Sequence, residues 1–516
     1  MKKNYFIPIF IIIAIIGVGW YYTQKAPPSA EQAQERRIIE LKNGDSYTLT
    51  AGFVTKNIDG KTYKMLAYNG TIPGPTIKVA QGAEVTINLK NNLDTPTTLH
   101  SHGVRMDNLF DGVPDVTQKK ILPGETFVYK LKFPDAGVYW YHPHLDEASG
   151  QALGLYGNFL VTPNDPAYWS PVNKEVSVIL SDLLTQDGNI VPFSSPVNHA
   201  LMGRYGNVLL VNGATDYKLS LKQGEVIRFY LTNAANTRTY NFAIKGAKIK
   251  LVGADNGKYE SEVWVDSVVL SPSERTIVEV LFDKPGVYTL EHKTPLRTYV
   301  LGSVEVVSEK VANSYVADFQ TLRTNKDVTK SIDPFRASFK KPADKKLALT
   351  VDMGSMGSMT GGNMMPGGTM MRGTTIGADD KEKIEWEDSM AMMNQNSTAD
   401  MVKWKIKDLD TGKTGMDINW KFKVGDKVKV SIFNDPKSAH PMQHPIHFHG
   451  QRFLVLSTNG VTNDNLVWKD TTLVQKGDTV EILVEMSNPG KWMAHCHIPE
   501  HLESGMMMNF EVLPKI

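Results

Sequence analysis

FPDAGVYWYHPH (Phe133–His144), FDKPGVYTLEHK (Phe282–Lys293) and MSNPGKWMAHCH (Met486–His497) are one phrase written three times, aligned on Gly137, Gly286 and Gly490. A second phrase also recurs: QGAEVTINLKNN from Gln81, QGEVIRFYLTN from Gln223 and VGDKVKVSIFND from Val424. Each copy of the second phrase is a glycine-led turn followed by apolar/polar alternation, the pattern of a half-buried β-strand. The two markers advance in near-equal steps, 142 then 201 residues for one and 149 then 204 for the other. Two independent markers in register imply three copies of one β domain. Short alternating strands with Gly/Pro turns predict sandwiches rather than helices, so the chain reads as all-β. The expected boundaries are 37–164, 165–308 and 309–516. The third copy is longer by about 55 to 60 residues and holds an insert, visible as VDMGSMGSMTGGNMMPGGTMMRG and EDSMAMMNQ over about 353–393.

Composition excludes several functions. Of 516 residues, 41% are hydrophobic and 22% charged, which is ordinary globular composition with ample core. The formal net charge of +1 leaves no basic field, so no nucleic-acid partner is expected. A single cysteine rules out an internal disulfide and leaves burial, reactivity or metal binding for that thiol. The N-terminus, MKKNYFIPIFIIIAIIGVGWYY, sets Lys2 and Lys3 before an uncharged run from Tyr5 to Tyr22. Basic residues stay inside, so the rest of the chain is expected to be exported, to the periplasm or another extracytoplasmic space. Residues 1–24 read as a signal peptide or signal anchor. The apolar run just reaches bilayer length and no A-x-A site follows it, which favours an inner-membrane anchor through residues 5–22 over a cleaved leader.

Thirteen histidines are present, and ten of them fall in four groups: HSHG (His100, His102), YHPHL (His142, His144), HPIHFHG (His444, His447, His449) and HCHIPEH (His495, His497, His501). An isolated buried histidine is usually a satisfied core residue. Ten in H-x-H groups would leave many polar atoms unpaired unless a metal takes them. The repeat sharpens this, because the positions of His142/His144 and His495/His497 are Glu291 and Lys293 in the middle copy. The outer copies therefore carry metal, and sites shared between them follow naturally.

The lone Cys496 sits between His495 and His497. Side chains alternate across a strand, so the two imidazoles face one way and the thiol the other. A metal on the thiolate side is then joined to metal on the imidazole side by one residue of backbone. His501, Met506 and His444 are the further ligands expected with Cys496, and two His, one Cys and a weak axial Met form the blue-copper set. Zinc would also accept a thiolate and two imidazoles, but it has no redox chemistry to use such a connection.

These four motifs, in order from about Gly52 to the C-terminus, resemble those of the multicopper oxidases, the family of laccases, ferroxidases and bacterial cuprous oxidases. The resemblance implies three cupredoxin-like Greek-key β-sandwich domains and four copper ions. It implies a type 1 copper on His444, Cys496, His501 and Met506, and a type 2 copper on His100 and His447. Of the type 3 pair, one ion would take His102, His142 and His497, the other His144, His449 and His495. Electrons from substrate would pass one at a time through Cys496, with His495 and His497 beside it, to a cluster that reduces O2 to water. Asp111 matches the family's acid near the cluster's water route, and Asp470 matches one expected to steady a type 1 ligand. The chain departs from the bacterial cuprous oxidases at Leu502, where they carry an acid after the type 1 histidine; Glu503 is the substitute candidate for proton supply.

Ten of the 22 methionines fall between Met353 and Met393 in a Gly/Ser/Thr-rich background. Such a stretch lacks the apolar periodicity of a core helix and reads as a solvated loop. Exposed thioethers oxidise readily, however, and soft thioethers select Cu(I). A Met-rich insert in the third domain resembles that of the copper-efflux cuprous oxidases. Met353, Met356 and Met359, with Met442 two residues before His444, are the candidate Cu(I) site, and His440 stands where those enzymes carry an acid. The expected enzyme is a monomeric cuprous oxidase. Fe(II) and small phenols are the other substrates weighed, as in ferroxidases and laccases, and a copper-sequestering or electron-transfer protein is the reading from another class.

Overall fold

The computed structural model describes residues 31–353 and 382–515, so the N-terminal apolar run, Met356 and Met359 lie outside the described residues. Six large sheets form three pairs, one pair for each copy of the repeat. In every pair the first long strand (Ser46–Ile58, Lys174–Leu183 or Lys345–Met353) runs parallel to the strand of the glycine-led phrase (Glu84–Asn91, Glu225–Asn233 or Lys427–Asn434). That strand pairs antiparallel in turn with Thr126–Lys132, Arg275–Phe282 or Thr479–Glu485. Parallel neighbours distant in sequence require the chain to cross to the other sheet between them, which is the Greek-key pattern. Each pair closes on its own apolar core, with Leu49, Ile87, Tyr141 and Phe159 in the first, Phe229, Val278, Phe242 and Leu290 in the second, and Val430, Ile482, Trp492 and Phe510 in the third.

The repeated phrases have repeated duties. Gly82, Gly224 and Gly425 all turn with φ between 84° and 102°, a conformation that glycine adopts without strain. The asparagine that ends each strand is buried and donates twice through its side chain: Asn91 to the carbonyls of Thr95 and Ile121, Asn233 to Arg238 and Leu270, and Asn434 to Met442 and Val474. These amides stitch the loops at one end of each sandwich, and Asn434 does so beside His444. The outer copies of this strand alternate in burial, but Glu225–Asn233 is buried throughout. Its outward Arg228 and Tyr230 are bonded to Glu175 and covered by Trp169, and Tyr230 packs in one cluster with Val138 and Leu160 of the first domain.

The insert differs from expectation at both ends. Met353 closes the strand Lys345–Met353, and a short helix forms at Ala391–Asn396. Residues after 381 are tied to the middle domain: Tyr205 Oη donates to the Glu385 carbonyl at 2.7 Å, Arg238 to that of Trp386 at 3.1 Å, and Tyr299 Oη to the Glu387 carboxylate at 2.6 Å. Met353, Met390 and Met401 pack on the third-domain core, so part of this Met-rich stretch is packed structure rather than solvated loop. Among the described residues, no helix is long and apolar enough to cross a membrane.

Candidate metal centre

Sheet register brings the histidines together. In the first domain His100 pairs directly with His142, and in the third His447 pairs with His495. Both H-x-H-G motifs then turn sharply at glycine: Gly103 has φ 74° and Gly450 φ 63°, and a Cβ would lie 2.1 Å from the Tyr139 ring or 2.4 Å from that of Trp492. Only glycine lets these aromatics from the neighbouring strand lie flat against the turn. Eight imidazoles from the two outer domains meet at one buried point.

Their hydrogen bonds fix which nitrogen faces inward. Nδ1–H donates to the carbonyl of Asp111 from His100 (2.6 Å), of Pro143 from His142 (2.8 Å), of Asp470 from His447 (2.8 Å) and of Cys496 from His495 (2.8 Å). His449 Nδ1–H donates to Asp111 Oδ2 at 2.9 Å. Carbonyl and carboxylate oxygens only accept, so the proton is on Nδ1 and the inward Nε2 is a bare lone pair. Yet His449 Nε2 lies 2.9 Å from His495 Nε2, and His100 Nε2 lies 3.4 Å from His447 Nε2. His102 Nε2 is 2.9 Å from that of His142 and 3.0 Å from that of His497, while His144 clusters with His449 and His495. Lone pairs at that distance repel unless a cation lies between them, so the residues present fit metal ions. Burial and the neighbouring imidazoles hold most of these rings far below the usual histidine range, His144 at about 3, so they are neutral, as ligands must be.

On the other face of the same strand, Gly490–Cys496, a second group forms. Cys496 Sγ is 3.6 Å from His444 Nδ1 and 3.8 Å from His501 Nδ1, and the two nitrogens are 3.3 Å apart. A point equidistant from these three atoms lies about 2.1 Å from each, which is a metal–imidazole bond length. Met506 is fully buried, and its carbonyl accepts the Cys496 N–H at 3.0 Å. The Ile498 N–H points at Sγ from 3.5 Å. Trp404 stacks on His501 at 4.1 Å and closes the pocket, its Nε1–H donating to Ala200 of the middle domain at 2.7 Å. Burial pushes the free Cys496 thiol up, so the thiolate needs a cation beside it.

Asp111 is wholly buried and braces His449 through Oδ2 and His100 through its carbonyl. Asp470, expected beside a type 1 ligand, lies at the imidazole cluster instead. The strand Thr471–Val474 pairs with His444–Phe448 so that Thr471 faces His447, and this sets Asp470 at the imidazole cluster. Its Oδ1 is 3.4 Å from His447 Nδ1 and 3.6 Å from His102 Nδ1. Burial opposes its ionisation, but Arg275 and His447 outweigh that and hold its carboxyl far below the usual range. Glu503 ends the helix Pro499–Glu503 and accepts the Ala148 N–H at 3.1 Å. Part of its side chain reaches solvent, but burial of the carboxyl, with Glu500 and Asp146 nearby, pushes its pKa up to about 7. Leu502 is buried against Val113 and Met493.

Sequence reasoning missed Glu147. It is buried, neither carboxyl oxygen has a hydrogen-bond partner, and Oε1 is 3.7 Å from both His142 Nδ1 and His497 Nε2. Burial, with Glu503 and Glu500 nearby, pushes its pKa well above the usual range. An acid three residues after His144 was the available signal. Ser273 and Arg275 of the middle domain were also missed, and no motif marks them.

Models of the family described as multicopper oxidase match residues 51–166, 174–308 and 385–515. Together these cover most of the chain, and the chain belongs to the multicopper oxidase family: it is an oxidoreductase with copper as its cofactor. The multicopper oxidase mco of Staphylococcus aureus is 28% identical, over 90% of this chain and 88% of that protein. Copper resistance protein A of Escherichia coli is 24% identical, over 91% of this chain and 93% of that one. Among solved structures, a multicopper oxidase from Campylobacter jejuni described as a metallo-oxidase superposes with a TM-score of 0.68 at 26% identity, covering 95% of this chain and 99% of that one.

Proposed function

We propose that this chain is an exported cuprous oxidase that oxidises Cu(I) to Cu(II) at the expense of O2, in copper detoxification. His444, Cys496, His501 and Met506 would hold the type 1 ion and His100 with His447 the type 2 ion. His102, His142 and His497 would hold one type 3 ion, and His144, His449 and His495 the other. Copper, when bound, supplies the one-electron steps and the four-electron reduction of O2 to water. The chain's own residues do the rest. Cys496 links the two groups covalently through its neighbours on one strand, Asp111 orients two imidazoles, and Trp404 keeps water from His501. Domain limits of 37–164, 165–308 and 309–516, a monomeric state and retention at a membrane through residues 5–22 belong to the same reading.

The observation that supports the substrate is the concentration of methionines in the third domain, which also carries the thiolate group. Met442 is fully buried two residues before His444, Met353, Met390 and Met401 pack on the third-domain core, and the sequence adds six methionines between Gly354 and Met371. Soft sulfur ligands favour Cu(I) over Fe(II). The test compares kcat/KM for Cu(I), Fe(II) and a small phenol in the full chain and in one lacking Gly354–Met371, at matched copper content. The full chain should prefer Cu(I). The deletion should lower Cu(I) oxidation by about tenfold, the usual scale for loss of a supporting metal contact, and spare or raise phenol oxidation. Equal ratios in both proteins would remove the case for a cuprous substrate. O2 uptake on adding reductant separates an oxidase from a copper-sequestering or electron-transfer protein.

A further inference from the structure

The middle domain offers no imidazole to either group, yet three of its residues end at the cluster. Ser273 has φ 74° in the turn before the strand Arg275–Phe282, and its Oγ lies 3.0 Å from His102 Nδ1 and 3.3 Å from Thr471 Oγ1. Thr471 Oγ1 is in turn 3.1 Å from His447 Nδ1 and donates to Asp470 Oδ1 at 2.9 Å. Arg275 is fully buried and joins all three domains: its Nε donates to the Val138 carbonyl of the first at 3.0 Å, and its Nη1 to the carbonyl of its own Ser273 at 3.1 Å. Its two terminal nitrogens grip both carboxylate oxygens of Asp470 in the third domain, Nη1 to Oδ1 at 2.6 Å. Asp255 completes the frame, accepting the backbone N–H of Arg275 at 2.8 Å and that of Asp470 at 3.3 Å.

We propose that the middle domain is the jig of the shared cluster, with Ser273 and Arg275 as positioning residues that set the poses of His102 and His447. The physical case rests on direction and burial. His102 contributes from the first domain and His447 from the third, their rings stacked 3.9 Å apart, and neither domain holds both. Ser273 Oγ is the hydrogen-bond partner of His102 Nδ1, so its position fixes which nitrogen turns inward. The Asp470 carbonyl that accepts from His447 is fixed because the same residue's carboxylate is locked in a bidentate fork, a geometry that only guanidinium supplies. A lysine at 275 would keep the charge but not the fork, and could not reach Val138, Ser273 and Asp470 together.

This inference rests on the cluster assignment above, which the wild-type protein tests separately through its copper content and its type 2 and type 3 spectra. The experiment uses full-length, copper-loaded Ser273→Ala and Arg275→Lys proteins. Copper per chain, type 1 absorbance, the type 2 electron paramagnetic resonance spectrum and the rate of reoxidation by air are measured on each. The expected result is an unchanged type 1 band, with altered type 2 hyperfine parameters or lost cluster copper and reoxidation slowed about tenfold or more. A residue that merely braces the fold would lower Tm and leave those parameters alone. Ser273→Ala removes one oxygen and keeps the domain interface, so it decides the matter if Arg275→Lys does not fold. The proposal stands if either folded variant perturbs the cluster spectrum with type 1 intact. It falls if every folded variant shows wild-type copper content, type 2 spectrum and reoxidation.

Discussion

The outer domains and the middle domain use one backbone for opposite purposes. At the paired positions where the first domain has His100 and His142 and the third has His447 and His495, the middle domain has Ala243 and Glu291. Two residues beyond the glutamate lies Lys293, and the two charges pair at 3.6 Å near the surface. On the proposed assignment the outer domains donate ligands. The middle one donates what holds ligands still: Ser273, Asp255 and Arg275 at the imidazole cluster, and Ala200, Leu201 and Met202, fully buried against the third-domain core beside Cys496. A repeat that lost, or never had, its metal is thus not idle, because ligand sets split between two domains need a third surface to hold their relative pose.

The sharpest way to break this comparison is at the strand that carries both groups. Cys496→Ser should abolish the blue absorbance and reduce oxidation of every donor to background while the imidazole cluster still loads copper, since serine oxygen cannot replace a soft thiolate. A purified variant that stays blue would end the thiolate assignment. Next, replacing His100 or His447 by Ala should leave the protein blue and readily bleached by reductant, with almost no reoxidation in air by stopped-flow absorbance. Normal reoxidation would show that these rings are not ligands. Asp111→Asn should be milder, slowing reoxidation by about 10- to 100-fold, because an amide is a weaker acceptor for His449 Nδ1–H than a carboxylate. The smallest effect should come from the middle domain: Glu291→His with Lys293→His should bind no extra copper by metal analysis. Extra copper there would mean that the strand pair alone makes a site, and the division of labour would dissolve.

The ten clustered histidines, Cys496 and the threefold repeat were legible because H-x-H on a strand and glycine-led turns are local patterns. So was the opposition of His495 and His497 to Cys496, which follows from strand alternation alone. The family resemblance expects Asp470 beside a type 1 ligand, but register decides its place: pairing Thr471 with His447 carries it to the other group. Ser273 and Arg275 were invisible for a related reason. Their partners lie 171 and 195 residues away, across domain borders, where no spacing rule applies. The insert was half legible: glycine-rich composition announces a loop, but the anchoring of Glu385 to Glu387 on the middle domain comes from tertiary contacts that composition does not encode.

His100 and His447 face each other across 347 residues of chain. A metal shared by such a pair closes a very large loop, and loop closure costs entropy that grows with the logarithm of its length. On the proposed assignment copper would act as a staple between distant parts of the chain, stabilising the fold to the extent that it binds the folded chain more tightly than the unfolded one. Thermal resistance should then rise with copper supply by mass action, coupling the lifetime of the protein to the abundance of the metal it handles.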